Sequence, residues 1–180
     1  MKNETFDQVW DHVAHLPRER RKRLLDDPIA DDFHAPPDAL ELCAAGRAAC
    51  GHCALAALLG WSVEKVLPAF DGYALWTSER TMIEVMQRLH LDPKQARNHW
   101  PEKRAVVWLQ GIGSWMKPGI PLGARNQRTH WIAQDEAGEV IYDANIGQWV
   151  SRAVWEQTIA VQLKQRWKAI SIEPRSTLIL

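Results

Sequence analysis

The sequence predicts an α+β domain, and three observations carry that expectation. Up to about residue 91, apolar residues recur at helical spacing. From about residue 105 they fall in short runs of strand length, separated by Gly- and Pro-rich stretches. Helices first and a mostly antiparallel sheet afterwards is the α+β order. At 180 residues the chain is long enough for one sizeable core, so a single domain is expected over residues 35–180, with residues 1–34 as an N-terminal helical extension.

In chain order, Phe6, Val9, Trp10, Val13 and Leu16 mark a first amphipathic helix, interrupted by Pro17. The basic run from Arg18 to Arg23 is answered by Asp26, Asp27, Asp31 and Asp32, which reads as a solvated helix face rather than a nucleic-acid patch. Pro28, Pro36 and Pro37 mark an irregular connector. Residues 50–60 form a short, nearly wholly buried helix with a glycine stop at Gly60. Ser62 caps a shorter helix through Val63, Val66 and Leu67, ending at Pro68. Asp71-Gly72 signals a turn. Thr77-Ser78-Glu79 opens a helix carrying Met82, Val85, Met86 and Leu89 on one face.

The second half begins with the apolar run 105–109, expected as a buried strand, and a loop over residues 111–123 long enough to be functional. Residues 129–134 and 139–143 form two strands around Asp135-Glu136-Ala137-Gly138. A late helix is expected over residues 152–163 and a closing strand over 167–172.

Cys50 opens the buried helix and is followed by Gly51. A thiol there feels the partial positive charge of the helix N-terminus, which favours the nucleophilic thiolate. A nucleophile needs a base, and the hairpin supplies one. If Gln134 and Glu139 close a four-residue turn, the ladder sets His130 directly opposite Asp143, with Cβ atoms roughly 4.5–5.5 Å apart. Asp143 would then fix the His130 tautomer and stabilise its imidazolium, the orienting role in triad chemistry. Cys53, one turn deeper, reads as core and Cys43 as part of the connector. His52 reads as exposed or locally bonded, and His99 as structural.

The run Cys50-Gly51-x-x-Ala54-Leu55-Ala56-x-Leu58-Leu59, with His130 and Asp143 following in that order, resembles the papain-like cysteine peptidase superfamily. It is similar in pattern to the double-glycine leader peptidases of bacteriocin processing. The segment Asp143-Ala144-Asn145-Ile146-Gly147 is similar to the Asp-x-Asn-x-Gly stretch of papain-like bacterial effector proteases. The resemblance spans about residues 43–150. It implies a papain-like fold and a Cys50–His130–Asp143 triad acting on an amide bond, either a peptide bond or a glutamine side chain. Two departures stand out. Ala44 occupies the position, six residues before the nucleophile, where the family usually carries an oxyanion-holding Gln. No proline follows Asp143. Backbone N–H groups at the start of the Cys50 helix supply one oxyanion donor, and Arg47, Gln110 and Asn126 are candidates for the second.

Two rival readings remain open. One is a papain-like peptide-binding module without chemistry. The other is a zinc module using Cys43, Cys50 and Cys53 with His34 or His52, although no second C-x-x-C or H-x-x-x-H half accompanies them. Ten tryptophans against three phenylalanines suggest an indole-lined core or groove, with Trp115, Trp131 and Trp149 as wall, shield or ordinary core residues. A net charge of zero argues against a dedicated nucleic-acid or membrane-surface binder. Three clustered cysteines and no signal sequence point to reduced thiols in the cytoplasm, or to export without a cleaved signal. A peptide or protein substrate is the expected partner; no cofactor and no metal are expected.

Overall fold

A computed structural model describes residues 33–71, 77–125 and 128–180. The helices expected before residue 26, the Asp71-Gly72 turn and Asn126 lie wholly or partly outside them. The first half is helical: α1 (Ala39–Ala44), α2 (Cys50–Leu59), α3 (Val63–Val66) and α4 (Glu79–Arg88), with a 3-10 turn at Leu67–Phe70. Pro68 thus sits inside that 3-10 turn rather than ending the helix. The second half forms strands β1 (Lys94–Arg97), β2 (Ala105–Ile112), β3 (Thr129–Gln134), β4 (Val140–Asp143), β5 (Gln148–Ser151) and β6 (Ser171–Ile179). Between them come a 3-10 turn at Ser114–Met116, α5 (Leu122–Arg125), α6 (Arg152–Gln157) and α7 (Ile159–Trp167). The strands make one antiparallel sheet in the order β1-β6-β2-β3-β4-β5.

Alternation along the central strands divides the core in two. Val106, Trp108, Trp131, Ala133 and Tyr142 pack with α1 to α4 on one face. Val107, Leu109, Ile132 and Ile141 pack with Trp155, Ile159 and Leu163 of α6 and α7 on the other. A sheet covered on both faces reads as apolar runs, which is why β2 showed in sequence as an uninterrupted apolar stretch.

Helix α2 follows the sequence expectation from end to end. Ala54 to Leu58 are buried, and Gly60 ends it in the left-handed conformation at φ 66°. Gly51 is required by close approach: a Cβ there would stand 2.7 Å from Thr77 Oγ1. In α4 the Ser78 hydroxyl accepts the Thr81 backbone N–H at 3.0 Å and so caps the helix start.

Four expectations are corrected. The β3–β4 register pairs Ile132, not His130, with Asp143. The Asp135 carboxylate accepts the Val140 N–H at 2.9 Å and holds a wider turn than the four residues expected. The closing strand runs over Ser171–Ile179 instead of 167–172; Trp167 ends α7. A bulge between the Trp108–Ser176 and Leu109–Pro174 pairs breaks the alternation of β6. The expected helix over 152–163 is two helices, separated at Thr158. The polar strand β1 carries no apolar alternation and was not foreseen; its pairing with β6 forms it.

Candidate active site

Three elements meet around His130. Beyond the Ile132–Asp143 pair the β3–β4 ladder stops, and β4 turns through Ala144 to Gly147 into β5. A two-residue change of register keeps every side chain on its face, since strand side chains have period 2. His130 and Asp143 are therefore diagonal neighbours on one face, and the His130 Nε2 lies 2.8 Å from the Asp143 Oδ1. The imidazole is 6 % exposed and the carboxylate not at all.

The turn after Asp143 is built around its carboxylate. The Asn145 backbone N–H donates to Asp143 Oδ1 at 2.8 Å, while Ile146 and Gly147 N–H groups donate to the Asp143 carbonyl at 3.1 and 2.9 Å. Gly147 adopts φ 68°, and a Cβ on it would sit 2.8 Å from Leu40 Cδ2 of α1. The Asn145 side-chain amide comes within 3.1 Å of His130 Nε2. On the other carboxylate oxygen, Trp155 Nε1 of α6 donates to Oδ2 at 2.8 Å. Asp143 is thus fixed by its own turn, by the ring it faces and by an indole from the helix behind.

Electrostatics follow from these contacts. Burial works against charge on Asp143, but the His130 charge and hydrogen bond, the Trp155 indole and the Asn145 N–H outweigh it and hold its pKa below the usual value. Burial likewise works against an imidazolium at His130. The Asp143 charge, the Cys50 side chain and hydrogen bonds to both more than offset it, raising the His130 pKa to about 10. Nε2 is the nitrogen turned to Asp143. Cys50 is half-buried at the first position of α2, where its backbone N–H has no carbonyl four residues back within the helix.

The structure thus brings Cys50, His130 and Asp143 together. Of the proposed oxyanion side chains, Arg47 is exposed and Gln110 donates its amide to the Gly111 and Arg128 carbonyls at 3.0 and 3.2 Å. Trp131 and Trp149 are core residues, their indoles donating to the Thr77 and His34 carbonyls. Trp115 lies on the loop after β2 with the Arg128 guanidinium 3.9 Å from its ring centre. Trp155 and Asn145 are the site residues missed as such from sequence. Of the two expectations for His52, the locally bonded one holds: its Nδ1 accepts the Ala49 N–H at 3.1 Å, and the ring is buried 4.0 Å from that of Phe70. The thiols that would share a zinc ion point elsewhere, with Cys43 and Cys53 in mutual contact at 3.3 Å. Among the described residues no three His, Cys, Asp or Glu side chains are grouped to hold a metal ion, and no single helix is long and apolar enough to cross a membrane.

Comparison with protein-family models, curated proteins and solved structures gives no match.

Proposed function

We propose that this protein is a papain-like, thiol-dependent amide hydrolase in which Cys50 is the nucleophile, His130 the proton carrier and Asp143 its orienter. The observation that carries the reading is a buried imidazole 2.8 Å from a fully buried carboxylate, with the Cys50 side chain near enough to help raise the ring's pKa. A carboxylate with three hydrogen bonds is a costly thing to bury, and it gives the ring one tautomer and one orientation.

In the mechanism, Cys50 sulfur attacks the amide carbonyl carbon, and the resulting oxyanion takes the Cys50 N–H at the front of α2. His130 gives a ring proton to the leaving nitrogen, the C–N bond breaks, and a thioester remains. Water then adds to the thioester as His130 accepts its proton, and the thiol is regenerated with release of a carboxylic acid. A peptide bond yields a new amine terminus; a glutamine side chain yields ammonia.

The test is native-state alkylation with iodoacetamide near neutral pH, with peptide mapping of the adduct. Cys50 is expected to label faster than a free cysteine and to slow at least about tenfold in His130→Ala. Labelling no faster than the free thiol, and indifferent to His130→Ala, would sink the reading. A companion digest of denatured protein, scored for new N-termini and deamidated glutamines against a Cys50→Ala control, separates peptidase from deamidase. A reactive Cys50 with neither product leaves the peptide-binding reading.

A further inference from the structure

One turn behind Cys50, the Sγ atoms of Cys43 and Cys53 lie 3.3 Å apart, on α1 and α2. A disulfide needs about 2.05 Å, so closure asks little more than an ångström of movement between two short helices. Both thiols are buried, Cys43 at 4 % exposure and Cys53 at 0 %, which keeps external thiols from competing for either sulfur. The chain has three cysteines, and the remaining one faces His130.

We propose that Cys43 and Cys53 are a redox pair that a peroxide-class oxidant converts to an internal disulfide, closing the loop that presents Cys50. The pair is polarised for this. The hydrogen bond from Cys53 lowers the Cys43 pKa, against its burial, and the Cys53 thiol is held protonated by Cys43 and by burial. Cys43 thiolate attacks one peroxide oxygen, the O–O bond breaks, and Cys43 becomes a sulfenic acid while hydroxide leaves. Cys53 sulfur then attacks Cys43 sulfur, its proton leaves with the second oxygen as water, and the S–S bond forms. Two thiols and one hydrogen peroxide give one disulfide and two waters. The cross-link encloses residues 44–52, the segment ending in the first turn of α2, and leaves Cys50 as the single free thiol.

The pair is independent of the hydrolase reading, so the test removes Cys50. Full-length Cys50→Ser, with Cys50→Ala as a second background, is treated with hydrogen peroxide, unfolded and alkylated. The expected result is joint loss of both thiols, a mass lower by two hydrogens, reversal by dithiothreitol, and a Tm higher by roughly 5 °C before reduction. Arg47 lies between the cysteines, so trypsin places them on separate peptides that stay joined until reduced. Adding Cys43→Ala should leave Cys53 alkylatable. Thiols that survive treatment, oxygen added to either sulfur without a cross-link, or disulfide-linked dimers of the chain would each overturn the proposal.

Discussion

Cys50 and Cys53 stand three residues apart on one helix, yet their surroundings differ sharply. Cys50, half-buried at the front of α2, faces an imidazole anchored by a carboxylate. Cys53, with no exposed surface, lies against Cys43, and its pKa is pushed well up by the Cys43 contact and by burial. What separates the proposed nucleophile from a core thiol here is not residue type or helix but one turn of depth and the partner that depth selects.

Substitutions at the two positions should therefore come apart. Cys50→Ala is expected to reduce amide hydrolysis by at least about 10⁴-fold with little change in Tm, measured once the digest has identified a cleaved or deamidated site. Asp143→Ala removes the anchor behind the base. It leaves the His130 ring buried without its carboxylate and should cost about 3–5 kcal/mol in urea unfolding. The Cys50 alkylation rate should fall with it, bringing the front thiol closer to the deep one. Trp155→Phe keeps an aromatic ring but deletes the N–H to Asp143 Oδ2 and part of the indole volume, so a loss of at least about 1.5–3 kcal/mol is expected. Full stability in that variant would show that the carboxylate does not depend on the helix behind it. Cys53→Ala should cost about 1 kcal/mol and leave Cys50 labelling within about twofold of wild type. A collapse of Cys50 labelling in Cys53→Ala would erase the distinction between the two thiols.

Much of this arrangement was legible in the chain. The helix from Cys50 to the Gly60 stop stood out because its apolar spacing and its terminator agree. The His130–Asp143 pairing was legible because strand parity survives a register error of two residues: the turn was wrong, held wider by Asp135, yet the two side chains still share a face. The rest depended on tertiary contacts that leave no local pattern. Trp155 reads as an ordinary apolar helix residue, and only the packing of α6 against β4 turns its indole onto Asp143. Asn145 stands in the sequence only as part of the Asp-x-Asn-x-Gly segment, with no role given to it, and its approach to His130 arises because the turn wraps past the end of the ladder. His52 read as exposed or locally bonded, and it is the second: the Ala49 N–H bonds its ring, which is buried. Cys43, read from sequence as part of a connector, lies buried in helix α1, and its contact with Cys53 joins two helices, a pairing that spacing does not specify.

The pH dependence of stability carries a definite sign. Asp143 has a pKa below its ordinary 3.8, so its contribution is present above that value and is lost as pH falls through the lowered one. His130 is raised from 6.5, so its contribution is complete below 6.5 and is lost as pH rises towards about 10. The pair should stabilise most between these limits.

The most direct measurement is the titration of the His130 ring by NMR, with ¹⁵N-labelled imidazole followed from pH 5 to pH 11. An imidazolium held by Asp143 and Cys50 keeps both ring protons until about pH 10, and its titration should move down in Cys50→Ala and further in Asp143→Asn. A ring that titrates near its ordinary 6.5 in the wild type, unmoved by either substitution, would contradict the account.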